Sequence, residues 1–172
     1  PPPAVEIHLY QAIPKGDRWE WLIEKATEIG VSRVIPLVTA RSEVRPPAGG
    51  AGPDRWRRIA LSAAKQCGLV WLPKIEPPRR ADDWRALWAE CDRVAMGVLD
   101  PTAPMLRDVL AEWRREAGVR LGVLIGPEGD LTPAEIAAAA EAGARPVSFG
   151  AGVLRVETAA LFALSVIRSE WS

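Results

Sequence analysis

Two nearly continuous apolar runs constrain the fold of this chain more than any other feature of its sequence. They extend from Arg93 to Leu99 and from Val119 to Ile125, and segments with helical periodicity lie between and after them. A strand with such a run is covered on both faces, as in a parallel sheet flanked by crossover helices. The sequence therefore predicts an α/β fold, with a mostly parallel sheet and helices on both of its faces.

The remaining elements follow from periodicity, caps and turn residues. The predicted strands and helices are a strand at Val5 to Ile13, a helix at Arg18 to Ile29 ended by Gly30, a strand at Val31 to Val38, a helix at Asp54 to Cys67, a short helix at Asp82 to Ala89, a helix at Met105 to Glu116, a helix from the Thr132–Glu135 capping box to Gly143, a strand at Arg145 to Phe149, and a helix at Glu157 to Ile167. Pro36 lacks a ladder donor, which suggests an edge or a strand end.

The chain is expected to form one domain over residues 1–172. Its length suits a single α/β unit, and the Pro-rich segment from Pro73 to Pro78 is too short to separate two independent domains. No apolar run approaches the roughly 18 residues that cross a bilayer. Cys67 and Cys91 form no disulfide or metal pattern. These features favour a cytoplasmic protein without a membrane span or a metal site.

Charge is distributed unevenly along a chain whose net charge is zero. The segment from Arg41 to Arg80 holds nine basic and three acidic residues, a net charge of +6. Lysine and arginine clusters bind nucleic-acid phosphates because they release condensed counterions. A solvated helix face explains the same segment equally well, so charge alone leaves both interpretations open.

Two glycine loops follow predicted strands and indicate a ligand site. Gly126-Pro127-Glu128-Gly129 follows the strand that ends at Ile125, and Gly150-Ala151-Gly152 follows the strand that ends at Phe149. Ligands of open α/β sheets bind at the carboxyl ends of strands, where glycine lets the main chain approach them. Tight turns are the alternative for either loop alone. A dinucleotide fingerprint is disfavoured, because Arg155 stands in place of its third glycine and no further strand follows.

Four ordered blocks give the sequence a resemblance to a known family. They are Lys15-Gly16-Asp17-Arg18 with Lys25-Ala26-Thr27-Glu28-Ile29-Gly30-Val31; Ala63-Ala64-Lys65-Gln66-Cys67-Gly68; Ile125-Gly126-Pro127-Glu128-Gly129; and Leu154-Arg155-Val156-Glu157-Thr158-Ala159-Ala160-Leu161. In this order they resemble the RsmE-type 16S ribosomal RNA uridine-N3 methyltransferases. The resemblance implies a SPOUT fold with a C-terminal trefoil knot, a homodimer, and S-adenosyl-L-methionine (SAM) as the methyl donor.

The resemblance also implies site residues. The predicted SAM-binding residues are Leu124, Ile125, Gly126, Pro127, Glu128, Gly129, Phe149, Gly150, Val153, Leu154, Thr158 and Ala159. Arg155 is the first candidate for stabilising either the uridine anion that forms when N3 loses its proton or a phosphate, and a structural ion pair with Glu157 is its alternative. Glu128 and Glu157 are further catalytic candidates, although Glu157 could equally cap a helix.

RNA recognition is the part of the family pattern from which this sequence departs. The predicted RNA-binding residues are Lys15, Arg18, Arg41, Arg45, Lys65, Gln66 and Trp71, the last as a stacking platform for a base. Leu69 and Trp71 replace arginines that the family usually carries, and Gly152 replaces a commonly basic residue. Asp130-Leu131 replaces the usual Gly-Phe. The N-terminal PUA-type RNA-binding barrel of the family is not expected in this chain.

The sequence therefore predicts methylation of uridine N3 in small-subunit ribosomal RNA by direct transfer from SAM. A catalytically inactive RNA-binding or scaffold domain is one alternative, and a SPOUT methyltransferase with a different RNA target is another.

Overall fold

A computed structural model of the chain describes residues 4–44, 51–114 and 119–172. The RNA-binding candidate Arg45 lies outside the described residues, as do the last residues of the predicted helix at 105–116. The strands are β1 (Glu6–Ala12), β2 (Arg33–Val38), β3 (Lys74–Ile75), β4 (Arg79–Arg80), β5 (Arg93–Gly97), β6 (Arg120–Ile125) and β7 (Ala144–Val147). The helices are α1 (Arg18–Ile29), α2 (Ala51–Cys67), α3 (Trp84–Leu87), α4 (Leu106–Trp113), α5 (Pro133–Glu141) and α6 (Val156–Glu170).

The sheet is parallel and covered on both faces, which confirms the predicted class. Its strand order is β3-β2-β1-β6-β5-β7, with β4 also paired to β2, and every pair of strands is parallel. Successive residues of β1 point to opposite faces. Leu9 packs in a core cluster with α1, α2, α4 and α6, whereas Tyr10 packs in a second cluster with α3 and α5.

The interpretation of Pro36 as a mark of an edge or a strand end is wrong, because β2 has neighbours on both sides. The carbonyl of Leu37 accepts from the amide of Ile13, just after β1. The carbonyls of Val34 and Val38 face the other way, where Glu76 and Ala81 donate to them. Pro36 therefore faces the interval between Glu76 and the start of β4 at Arg79. Its missing N–H falls where no strand partner is present.

The structure adds two short strands and shortens other elements. β3 lies within the Pro-rich connection and β4 directly after it; each holds two residues that pair with β2, and neither was predicted. The short helix covers only Trp84–Leu87. β5 ends at Gly97 and β7 at Val147, each two residues before the predicted end. The residues released from these strands contribute to the site described below.

The predicted helix ends are confirmed where a specific cap sets them. Gly30 ends α1 with φ of 91°, a left-handed conformation that glycine adopts without a steric penalty. Thr132 accepts from the amide of Glu135, and the Glu135 carboxylate accepts from the amide of Thr132, so both bonds of the capping box are present. None of the helices among the described residues combines the length and the apolar character needed to cross a membrane.

A buried polar cluster lies near the amino ends of the central strands. His8 is 4% exposed, its Nδ1 lies 3.4 Å from Sγ of Cys91, and the same sulfur lies 3.4 Å from the hydroxyl of Tyr10. Burial raises the pKa of Cys91 to about 11, so the thiol stays protonated at neutral pH. The cluster is therefore a neutral hydrogen-bonded group rather than a reactive thiolate.

His8 makes the stability of the protein depend on pH in a defined direction. Burial, and then the charge of Arg33, lower its pKa from 6.5, so below pH 6.5 the unfolded chain binds more protons than the folded chain. The contribution of His8 to the free energy of unfolding is therefore fully present above pH 6.5 and is lost as the pH drops toward the folded-state pKa. Urea unfolding between pH 5.5 and pH 7.5 should show this loss, and His8→Gln should flatten it. If the free energy of unfolding changes equally with pH in the wild type and in His8→Gln, the assignment is contradicted, since His8 is the only histidine.

Candidate functional site

A large cavity lies at the carboxyl ends of β5, β6 and β7. It has a volume of about 860 Å³, within the range of small-molecule sites. Its walls come from Arg18 at the start of α1 and from residues within 97–105, 125–130 and 148–159. Because all the strands are parallel, the loops after these three neighbouring strands meet at one edge of the sheet.

The two glycine loops predicted from the sequence share this cavity. Gly126 and Gly150 both line it. A Cβ on Gly126 would lie 3.1 Å from Cγ and 3.2 Å from the amide nitrogen of Leu131, so a side chain there would displace the loop. Gly150 has φ of 125°, a conformation that other residues rarely adopt. The glycines are therefore needed for the shape of the cavity wall.

Most of the predicted SAM-binding residues line the cavity, and three do not. The lining includes Ile125, Gly126, Pro127, Glu128, Phe149, Gly150, Val153, Leu154 and Ala159. Leu124 is fully buried in the core cluster that contains Tyr10 and packs with α3 and α5. Thr158 lies on an exposed face of α6. Gly129 is turned away, and its carbonyl accepts from Arg41. The binding roles of the nine lining residues remain predictions.

The segment after β5 forms one wall of the cavity and was missed by the sequence analysis. Its lining residues include Val98, Leu99 and Asp100, and Oδ1 of Asp100 accepts from both the amide and the hydroxyl of Thr102. These two bonds lower the pKa of Asp100. The turn residues Asp100-Pro101 were the available signal, but the apolar run through Leu99 was interpreted as strand to its end.

Arg155 lies at the cavity without a competing partner. It is the N-cap residue of α6, its side chain is exposed, and it lines the cavity. Within the described part of the chain its guanidinium makes no hydrogen bond or ion pair. The alternative that Arg155 pairs with Glu157 is therefore wrong. Glu157 instead lies 3.7 Å from Nε of Arg18, measured to its Oε1.

The two carboxylate candidates differ in their surroundings. Glu157 is 7% exposed in the first turn of α6, and its Oε2 has no hydrogen-bond partner among the described residues. A buried carboxylate oxygen without a donor is costly, which is often a feature of functional sites. Glu128 is exposed, and its Oε1 accepts from the amide of Lys15 at 2.9 Å. Glu128 thus joins the loop after β6 to the loop after β1.

The predicted RNA-binding residues divide into two groups. Lys15, Arg18 and Arg41 lie at the edge of the sheet that holds the cavity, as their bonds to the site loops show. Lys65 and Gln66 are exposed near the end of α2, which returns from the end of β2 to the start of β3. With Trp71 they lie toward the opposite edge, roughly 20 Å away along a six-residue strand. The structure therefore does not bring this second group to the cavity.

A second cavity of about 500 Å³ lies beside the carboxyl ends of β2 and β4. Its charged residues are Arg80, Asp82 and Glu135, and Arg80 already pairs with Asp82 at 3.2 Å. The net charge of this lining is negative, which disfavours phosphate. Among the described residues, no group of three or more His, Cys, Asp or Glu side chains is arranged to hold a metal ion.

Comparison with known proteins places this chain in a family. The sequence model of the RNA methyltransferase domain family matches residues 1–168 of this chain. Among curated relatives, the ribosomal RNA small subunit methyltransferase E of Synechocystis is 34% identical over 92% of this chain, and that of Bacillus subtilis is 30% identical over 95%. The chain spans about half of the Synechocystis protein (51%) and 65% of the Bacillus protein.

Solved structures share the fold. A putative methyltransferase from Legionella pneumophila, determined with bound SAM, superposes with a TM-score of 0.84 at 31% identity, covering 96% of this chain and 66% of that one. The ribosomal RNA small subunit methyltransferase E of Neisseria gonorrhoeae, also bound to SAM, gives a TM-score of 0.81 at 30% identity. The match covers 96% of this chain and 66% of that one.

Proposed function

The chain belongs to the RNA methyltransferase domain family, and on that premise we propose that it transfers a methyl group from SAM to N3 of a uridine in 16S ribosomal RNA. The observation that carries the proposal is the cavity in which the two glycine loops meet beside an unpaired arginine. Relatives named as small subunit ribosomal RNA methyltransferases support the choice of substrate.

The residues of the cavity fit SAM chemically. Apolar walls from Ile125, Phe149 and Leu154 suit a flat heterocycle, and the glycine loops expose main-chain groups that can hydrogen-bond its edge. Carboxylates of Asp100 and Asp130 at the wall suit the positive charges of an ammonium and a sulfonium. When bound, SAM supplies an electrophilic methyl group.

The chain itself must handle the proton and the charge on uridine. N3 is protonated at neutral pH, so the reaction requires loss of that proton and stabilisation of the resulting anion. The unpaired guanidinium of Arg155 supplies positive charge and N–H donors at the cavity. Glu157, with one oxygen free of donors, is the candidate proton acceptor. Glu128 positions the loop after β6 through its bond to Lys15.

We propose that the working unit is a homodimer with the C-terminal knot of the SPOUT fold. Leu99 and Val153 line the cavity yet are 62% and 78% exposed, and Phe162 on α6 is 39% exposed. An apolar rim of this kind is suited to coverage by another protein surface. α6 packs against α1 and α4 and against β1 and β6, which is the central position that a threaded C-terminal segment would occupy.

The test combines cofactor binding with methyl transfer by the 172-residue chain. SAM affinity is measured by calorimetry, and transfer from labelled SAM is measured on small ribosomal subunits that lack the modification. The expected result is SAM binding and one methylated uridine, mapped by mass spectrometry. Binding without transfer would favour an inactive scaffold. Transfer to another RNA would favour a different target, as the replacements at Leu69 and Trp71 allow. Absence of SAM binding would refute the proposal.

A further inference from the structure

The loop between β6 and α5, residues 126–131, is held from outside the cavity by loops that follow β1 and β2. Oε1 of Glu128 accepts from the amide of Lys15 at 2.9 Å. The amide of Ala40 donates to Oε1 of Glu135 at 2.8 Å, at the start of the helix that follows the loop. Nη1 of Arg41 donates to the carbonyl oxygen of Gly129 at 2.8 Å.

Arg41 makes the most direct of these contacts with the loop. Its bond to Gly129 is charge-assisted, and such bonds are shorter and stronger than neutral ones. The side chain also packs along the loop, since a Cβ on Gly129 would lie 3.4 Å from Cβ and 3.6 Å from Cδ of Arg41. Arg41 therefore fixes both the direction of the Gly129 carbonyl and the space beside that residue.

The loop turns sharply at Asp130, between the residue that Arg41 contacts and the start of α5. Asp130 has φ of 61°, an uncommon value for a residue other than glycine. Its amide donates to the carbonyl of Pro127, and its Oδ1 accepts from the amide of Leu131. Asp130 and Pro127 line the cavity, whereas Gly129 between them does not. A restraint on Gly129 from behind thus sets the position of the residues that face the ligand.

We infer that Arg41 is a positioning residue that holds the SAM-binding loop through the carbonyl of Gly129, and does not itself bind RNA or SAM. One of the five N–H donors of Arg41 is engaged by the carbonyl of Gly129, whereas the guanidinium of Arg155 has no partner among the described residues. The part of this inference that concerns SAM rests on the proposed function. The part that concerns the order of the loop does not.

Two measurements on Arg41→Ala test the inference. In the ligand-free protein, hydrogen exchange of the amides in residues 126–131 should accelerate at least about fivefold as the loop loses its restraint. SAM affinity, measured well below the melting temperature, should fall about tenfold, the effect of about one charge-assisted bond. KM for SAM should rise, while kcat at saturating SAM and RNA affinity should stay near the wild-type values.

Arg85→Ala is the matched control. Arg85 is also exposed and donates to a main-chain carbonyl, that of Glu141 at 3.0 Å, but it joins α3 to the end of α5 away from the cavity. This variant should leave both loop exchange and SAM affinity unchanged. Arg41→Lys keeps the charge and loses the planar fork, so it should give intermediate values and serves as the test if Arg41→Ala does not fold.

The outcomes separate the possibilities. Unchanged exchange of residues 126–131 in Arg41→Ala would overturn the inference, whether or not the wild-type protein binds SAM. Unchanged SAM affinity together with weaker RNA binding would overturn it in favour of an RNA contact. A wild-type protein that does not bind SAM would refute the proposed function, while faster loop exchange in Arg41→Ala would still support the restraint.

Discussion

Replacing Arg155 with alanine should lower methyl transfer by about 10²- to 10³-fold, the loss expected when one preorganised donor to a developing anion is removed. The physical reason is that this guanidinium lines the cavity and has no partner among the described residues. SAM affinity should change by less than about threefold, because the walls and glycine loops remain. Single-turnover transfer and calorimetry measure the two effects separately.

Two further variants make the Arg155 result specific. Arg155→Lys retains the charge but not the planar set of donors, so it should recover part of the rate. Arg107→Ala removes an exposed arginine of α4 that pairs with Asp108, and it should leave the rate unchanged. Wild-type turnover in Arg155→Ala would remove this residue from the mechanism. A loss of SAM binding as large as the loss of rate would assign it to the cofactor instead.

Replacing Gly97 with alanine should weaken SAM binding by at least about tenfold. The new Cβ would lie 2.6 Å from Cε2 and 2.8 Å from Cζ of Phe149, so the ring must move. Phe149 lines the cavity and packs against Phe162 at a ring distance of 5.8 Å, and a displaced ring would occupy space intended for the ligand. Overpacking of this kind should also cost roughly 1–3 kcal/mol of unfolding free energy, measured by urea denaturation.

The chain provides a matched glycine for comparison. Gly152 lines the same cavity, but a Cβ there would meet no protein atom within 4 Å, so Gly152→Ala should keep the wild-type free energy of unfolding. Adding Phe149→Leu to Gly97→Ala should restore part of the affinity by removing the clash. If Gly97→Ala binds SAM as tightly as the wild type does, Phe149 does not form the cavity wall in the way described.

The sequence predicted the elements whose signals are local. The period of α1, the glycine that ends it and the capping box of α5 are each encoded within a few residues, and all three are confirmed. β3 and β4 could not be predicted in this way, because each has only two residues and exists by pairing with β2. The same dependence on a partner explains why Pro36 is accommodated inside the sheet.

The candidate site was predicted in part. The glycine loops carry an identifiable pattern, and the resemblance to a family ordered them into one site. The wall at 97–105 was missed because its first residues continue an apolar run beyond the point where the strand ends. The separation of Trp71 and Lys65 from the cavity was also not visible, because their distance depends on the direction of α2 across the sheet.

The sequence by itself determined the fold class, the family and the residues of the two glycine loops, since periodicity and short motifs are properties of neighbouring residues. The tertiary structure alone decided that Arg155 has no partner among the described residues, that Glu157 lies near Arg18, and that Arg41 donates to the carbonyl of Gly129. These pairings join residues far apart in the chain. Which charged groups meet is fixed by how the strands and helices pack, and that packing cannot be inferred from sequence spacing.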